Sequence, residues 1–132
     1  MLKLTKILNF FIIPVSFYLV HVFLDIVFDI YAKFPNFANV MHFSGGIILA
    51  FTFFPLLNYL NKEGFLKLNR FMKFIFVISL IISVAVFWEF YEFVMDYFFN
   101  VNWQPSLADT MGDLFLGMTG GIIAGMIFFR KK

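Results

Sequence analysis

Long apolar runs, interrupted by short polar connections, divide the chain into four segments. The runs cover residues 7–30, 37–60, 71–99 and 108–129. Each holds the roughly 20 mostly apolar residues that a helix needs to cross the hydrocarbon core of a bilayer. The pattern therefore predicts an all-α fold, an integral membrane four-helix bundle that forms a single domain over residues 1–132.

The connections between these runs are short and carry residues that end helices. Pro35 lies in the first connection, Gly64 in the second and Pro105 in the third. Gly64 is a predicted helix stop. Lys3 and Lys6 before an apolar run also resemble the start of a signal peptide. However, no small-residue cleavage site follows, so we expect the first run to be retained as a span.

Composition supports a membrane protein. The chain is 62% hydrophobic and 14% charged, with 23 phenylalanines and no cysteine. Soluble domains average about 45–50% apolar and about 25% charged residues. A soluble enzyme, a nucleic-acid binder and a disordered linker are therefore excluded. The missing cysteines exclude disulfides, thiol catalysis and Cys-ligated metals.

The charged residues are sorted by side of the predicted bundle. Four spans place both termini on one side, and that side receives every basic residue except Lys33. By the positive-inside rule, both termini are cytoplasmic. All acidic residues except Glu63 fall in the opposite, outer half, and so do both histidines. These outer residues are Asp25, Asp29, Glu89, Glu92, Asp96, Asp109, Asp113, His21 and His42.

Helical spacing indicates that the outer polar residues converge. Glu89, Glu92 and Asp96 share one face of the third span, and Asp109 and Asp113 lie one turn apart on the fourth. Ionisable side chains within a membrane normally face the bundle interior or a water-filled cavity. Like charges stacked at low dielectric repel one another. Because no Lys or Arg except Lys33 is close in sequence, the pattern predicts a bound cation or shared protons.

We predict a site with His42, Glu89, Glu92, Asp109 and Asp113 as ligands of a divalent metal. His21, Asp25, Asp96 and Asn39 are weaker candidates for its lining. Simpler roles remain open for some of these residues.

The spacing of Ser106 and Asp109 also fits a helix cap. Asp25, Asp29 and Asp96 are also explained as solvated residues at helix ends, and His21 as a hydrogen-bonded interfacial histidine.

Glycines on the second and fourth spans predict close helix packing. Gly117, Gly121 and Gly125 form a row with the spacing that lets two helix backbones approach each other. Asp113 continues this row one turn outward, and Gly45 and Gly46 follow His42. The partner of the row is either a helix of the same chain or a second copy, which would make a homodimer.

Three motifs in order resemble a known family. They are Asn39-Val-Met-His42-Phe-Ser-Gly45-Gly46, Trp88-Glu89-Phe-Tyr-Glu92-Phe and Asp109-Thr110-Met-Gly-Asp113-Leu-Phe-Leu-Gly117. Together they resemble the YjdF-like inner-membrane proteins, which are similar to the VanZ-like proteins named for a member linked to teicoplanin resistance. The resemblance covers residues 37–125 and implies a multi-pass protein of the bacterial plasma (inner) membrane.

The resemblance carries over to His42, Glu89, Glu92, Asp109 and Asp113. The family's basic residue before the histidine is missing here, where Asn39 and Val40 stand. Glu92 and Asp113 replace a Gln and an Asn of the VanZ-like proteins, so this chain is more acidic. The resemblance implies a fold and a site but no particular reaction.

The sequence is compatible with three functions. In the first, the site holds Mn²⁺, Zn²⁺, Fe²⁺ or Mg²⁺ and acts on or binds the headgroup of a lipid or cell-envelope precursor. His42 and Glu89 are then the candidate catalytic groups. The second is a proton- or cation-coupled transporter acting as a dimer, although the cytoplasmic half lacks matching acids. The third is a non-enzymatic scaffold or antibiotic-shielding protein.

Overall fold

The computed structural model describes residues 4–130, which contain helices and no strand. The helices are α1 (Leu4–Phe10), α2 (Ile12–Phe28), α3 (Ile30–Lys33), α4 (Phe37–Lys62), α5 (Arg70–Phe99) and α6 (Leu107–Arg130). The predicted spans 37–60, 71–99 and 108–129 lie within α4, α5 and α6. The basic residues Lys3, Lys131 and Lys132 lie outside the described residues.

The first predicted span is broken rather than continuous. α1 and α2 meet at Phe11 with a bend of 43°. Pro14 explains the break, because it has no N–H to donate to the Phe10 carbonyl and its ring crowds that carbonyl. At the other end, Asp29 has a left-handed backbone (φ 51°) and ends α2, so residue 30 belongs to the separate helix α3.

The core lies where α4, α5 and α6 pack together. α4 and α6 approach most closely at Gly46, because a Cβ atom there would overlap the carbonyl oxygen of Gly117. A Cβ atom on Gly120 would likewise overlap the carbonyl oxygen of Phe43. Below these contacts, the buried apolar cluster comprises Ala50, Phe53, Phe54, Leu57, Val77, Ile81 and Ala124.

The connection between α4 and α5 is held by its own polar groups. Gly64 follows the end of α4 with φ +81°, a conformation that glycine adopts without steric cost. The Asn61 side-chain amide donates a hydrogen bond to the Leu68 carbonyl at 2.7 Å and accepts one from the Leu68 N–H at 2.9 Å. Asn69 caps α5 by accepting a hydrogen bond from the Met72 N–H, at 2.8 Å. These contacts fix a short turn between two antiparallel helices.

The outside of the bundle is apolar. Phe87 on α5 and Phe115 on α6 are 72% and 62% exposed, and many other large apolar side chains point outward. α4, α5 and α6 are each long and apolar enough to cross a membrane, and α1 with α2 adds a fourth span if the bent pair is counted as one. Such a surface is suited to lipid, which solvates apolar side chains as well as a protein interior does.

Candidate functional site

Four of the predicted ligands converge between α4, α5 and α6. His42, Glu89, Glu92 and Asp113 each offer one nitrogen or oxygen atom, and these four atoms lie within 4.8 Å of one another. His42 Nε2 lies 3.4 Å from Asp113 Oδ2. The structure thus brings together residues from three helices that are separated by up to 71 positions in the sequence. We call this set the four-residue cluster.

The close contact of α4 and α6 places His42 beside Asp113. His42 is one turn before Gly46, and Asp113 is one turn before Gly117. The backbone at Gly117 also lies near His42, because a Cβ atom on Gly117 would be 3.6 Å from the His42 carbonyl oxygen. Since the glycines leave no side chain between the helices, the next polar side chains along each helix meet.

Glu92 is positioned from its own helix. The indole Nε1 of Trp88, one turn earlier on α5, donates a hydrogen bond to Glu92 Oε1 at 2.7 Å. This bond supplies a donor to one oxygen of the partly buried Glu92 carboxylate. In the sequence, Trp88 was selected only as the first residue of the motif that contains Glu89 and Glu92.

Glu89 is the most informative member of the cluster. Its side chain is 6% exposed, and its Oε2 accepts a hydrogen bond from Gln104 Nε2 at 3.0 Å. Its Oε1 is buried and has no hydrogen-bond partner among the described residues. Burying a polar atom without a hydrogen-bond partner is costly.

Asp96 does not join the cluster, although it shares a helix face with Glu89 and Glu92. Its two carboxylate oxygens accept hydrogen bonds from the backbone N–H groups of Trp103 and Gln104, at 2.6 and 2.7 Å. Asp96 therefore holds the connection between α5 and α6, and that connection carries Gln104 to Glu89. Sequence reasoning did not select Gln104, since it lies 15 residues from Glu89 and no periodic pattern links them.

The other predicted residues lie around the cluster rather than in it. Asp109 is in the first turn of α6, where its backbone N–H donates to the Ser106 hydroxyl at 3.2 Å, as expected of a helix cap. Asp25 is partly buried on α2, and Asn39 is exposed on α4. None of these side chains belongs to the four-residue cluster.

His21 packs in an aromatic group at one side of the cluster. Its ring makes edge-to-face contacts with Tyr18, Tyr31 and Trp88, with centroid distances of 5.2, 6.0 and 5.9 Å. Burial raises the pKa of Tyr31, which lies in α3, to about 12. A phenol is protonated at neutral pH even at its ordinary pKa of about 10, and burial strengthens that preference for Tyr31.

The glycine row packs within the chain. Gly117 and Gly120 lie against α4, whereas a Cβ on Gly121 would meet Ile81 Cδ1 at 2.8 Å. A Cβ atom on Gly125 would lie 3.1 Å from Phe74 Cε2 and 3.4 Å from Phe54 Cε2, so Gly125 packs against these two rings. The row therefore has its partners in α4 and α5 of the same chain.

The donor set of the cluster fits a divalent cation. One imidazole and three carboxylates are ligands for Zn²⁺, Mn²⁺, Fe²⁺ or Mg²⁺. Two ligand atoms on one such ion are at most about 4.0–4.6 Å apart, since each bond is about 2.0–2.3 Å long. The observed spread of 4.8 Å needs only small side-chain movements to meet that limit.

A helical bundle with an apolar exterior and a largely buried His/Glu/Glu/Asp cluster defines the class of protein: an integral membrane protein with a polar cluster between its helices. The chain belongs to the family described as "Predicted membrane protein (DUF2238)", whose family model matches residues 1–132. Neither the curated proteins nor the solved structures gave a significant match.

Proposed function

We propose that the protein is a divalent-cation-binding protein of the bacterial inner membrane, with both termini in the cytoplasm. The ion is held by His42, Glu89, Glu92 and Asp113. In this proposal the site lies in the outer half of the bundle and serves a lipid or cell-envelope precursor headgroup. The three ordered motifs that resemble YjdF-like and VanZ-like proteins support the same group of residues.

The observation that carries the proposal is the unpaired Oε1 of Glu89. Trp88 bonds Glu92, Gln104 bonds Glu89 Oε2, and His42 and Asp113 contact each other. Glu89 Oε1 is buried beside them, and no group among the described residues makes a well-formed hydrogen bond to it. A cation bound there would pair this oxygen and offset the repulsion between three carboxylates at low dielectric.

The chemistry available to such a site follows from its residues. A bound divalent ion would supply a Lewis acid that polarises a phosphoryl or carbonyl oxygen. The carboxylates and imidazole would hold the ion, while the fixed bonds from Gln104 and Trp88 keep Glu89 and Glu92 oriented. Glu89 and Asp113 are buried, and His42 and Glu92 are partly buried, so a bound ion would be largely shielded from bulk water. All four ligands come from one chain, so the proposal requires no second copy.

Metal analysis of purified protein tests the proposal. The protein is loaded with Mn²⁺, Zn²⁺, Fe²⁺ or Mg²⁺ in turn, desalted and assayed for bound metal. We expect the wild type to retain one ion per chain and the double variant Glu89→Gln/Asp113→Asn to lose it. The control is Glu63→Gln/Asp29→Asn, which makes the same two changes at exposed acids outside the cluster.

Each result is decisive. Retention in the wild type and the control, with loss in the cluster variant, supports the proposal. Equal retention in all three proteins, or no retention of any of the four metals by the folded wild type, overturns it. Helical circular dichroism and elution as a single species show that each protein is folded.

A further inference from the structure

A second feature is a cavity beside the cluster, which the binding of an ion by itself does not explain. It has a volume of about 390 Å³ and lies between α2, α4 and α5. Ligand pockets typically measure about 300–1,000 Å³. Its walls are almost wholly apolar, with Phe17, Leu49, Phe53 and Ile81 among them. The cavity is therefore large enough for a ligand and suited to hydrocarbon.

The cavity is elongated along the bundle and polar at one end only. Its wall on α4 runs from Met41 to Phe53, which is about 18 Å of helix at 1.5 Å per residue. That length is comparable with an extended dodecyl chain. His21, Tyr31 and Trp88 surround the His42 end, whereas Phe53 and Ile81 line the other end. Such a shape fits an amphiphile that lies parallel to the helices.

The cavity opens at an apolar surface. Several of its lining residues are themselves exposed on the outside of the bundle, including Phe11 (37%), Val15 (52%) and Val84 (39%). α2, which forms one wall, has no buried residue. In a bilayer these openings face acyl chains rather than water. A hydrocarbon chain can therefore enter sideways without crossing a polar barrier.

Two residues connect the cavity with the four-residue cluster. His42 lines the cavity and is itself a member of the cluster. Trp88 lines the cavity and donates its indole N–H to Glu92. A polar headgroup at this end of the cavity would therefore lie against the proposed ion.

We infer that the cavity holds a hydrocarbon chain of a phosphate-bearing lipid, whose phosphate oxygen binds the ion in the four-residue cluster. This inference rests on the proposed metal site, because three carboxylates without a cation would repel a phosphate. Octahedral ions such as Mg²⁺ and Mn²⁺ are commonly bound by a few protein ligands together with phosphate oxygens. Four protein ligands leave positions open for them, and the Tyr31 phenol supplies a neutral donor at the same end.

Photocrosslinking of protein in nanodiscs of digalactosyl diacylglycerol, a bilayer lipid without phosphate, tests this inference. The probe is dodecyl phosphate with a diazirine at the far end of its chain, and the labelled peptides are mapped by mass spectrometry. We expect metal-dependent labelling around Phe53 and Ile81. Inorganic phosphate should not compete, because it lacks the chain, and the matching diazirine alcohol should label this region at least about tenfold less.

Cavity-filling variants give the structural arm of the experiment. Gly45 lines the cavity and has room for a side chain, since its nearest neighbour, Phe17 Cε1, is 4.0 Å from a Cβ. Gly45→Leu should lower labelling at least about tenfold. Gly112→Leu, at a glycine with open space around it, should not lower it. Val84→Trp and its neighbour outside the cavity, Val86→Trp, provide a second matched pair on α5.

The outcomes separate this inference from the proposed function. Labelling confined to lipid-facing residues such as Phe87, or equal labelling in Gly45→Leu and Gly112→Leu, overturns the cavity as a binding site. Equal labelling by the alcohol, or labelling that persists without metal, overturns the phosphate headgroup. If the metal analysis fails while the chain still labels the cavity, the proposed ion is wrong and the hydrocarbon site remains.

Discussion

Gly46 on α4 and Gly117 on α6 are in backbone contact, so that a Cβ atom on Gly46 would overlap the Gly117 carbonyl oxygen. One turn away along each helix stand His42 and Asp113, which approach to 3.4 Å. The glycine contact therefore sets the distance between two members of the candidate site.

Gly46→Ala should separate α4 from α6 and disturb the site. We expect a loss of about 1–3 kcal/mol in the free energy of unfolding, as for overpacked interiors, because the overlapping atom belongs to the backbone and cannot rotate away. Bound metal should fall as well. Denaturation in detergent and metal analysis measure the two effects.

Gly45→Ala is the matched control for this change. It adds the same methyl group to the neighbouring residue, where the nearest atom would be 4.0 Å away. Equal stability of the two variants would contradict a backbone contact between α4 and α6 at Gly46.

Much of the helical layout is predictable from the sequence because hydrocarbon imposes a simple rule. Apolar runs long enough to cross a bilayer give α4, α5 and α6 to within about two residues at each end. The break at Phe11 is different, since it depends on a local clash of Pro14 with Phe10. Hydropathy does not register such a clash, although Pro14 itself was the available sign.

The candidate site was predictable in part for a similar reason. Glu89, Glu92 and Asp113 stand out because acids within apolar runs are costly. Helical spacing alone also selected Asp96, whose carboxylate turns instead to the backbone of the following connection. The contact between Gln104 and Glu89 depends on how that connection folds, and no spacing rule covers it.

Asp96 should act on the site through Gln104. Asp96→Ala releases the backbone N–H groups of Trp103 and Gln104, and Gln104→Ala removes the donor to Glu89 Oε2. Each change should weaken metal binding about 10–100-fold, as is common for residues that orient metal ligands.

A double-mutant cycle tests this connection. If Asp96 acts by placing Gln104, the double variant should bind metal about as well as either single variant. Additive losses would mean that Asp96 and Gln104 act independently.

Trp88→Phe should weaken metal binding by releasing Glu92. The change keeps an aromatic ring but removes the Nε1–H that bonds Glu92 Oε1 at 2.7 Å. We expect a loss of about 10–100-fold in metal affinity, measured by titration of purified protein.

Trp103→Phe is the control for the same substitution. The hydrogen bond described for Trp103 is made by its backbone N–H, which the change leaves in place. A similar loss of affinity in both variants would contradict a specific role for the Trp88 indole.

Two glycine-to-alanine changes should have opposite effects on stability. Gly64 has φ +81°, so Gly64→Ala should destabilise the protein by about 1–2 kcal/mol. Gly112 lies inside α6 with open space around it, so Gly112→Ala should stabilise the protein by up to about 1 kcal/mol. Denaturation of both variants in the same detergent measures the difference, and the same sign for both would contradict the backbone conformations described.

The proposed orientation in the membrane can be measured directly, since the chain has no cysteine of its own. Lys67→Cys and Asn36→Cys place single thiols at exposed positions in connections at opposite ends of α4. A membrane-impermeant maleimide should label Asn36→Cys in cells whose outer membrane has been permeabilised. It should label Lys67→Cys only in inverted membrane vesicles, because the basic residues of its connection favour the cytoplasm. The reverse pattern would place the four-residue cluster nearer the cytoplasm, and a cell-envelope precursor on the outer side would then be the wrong substrate class even if the cluster binds metal.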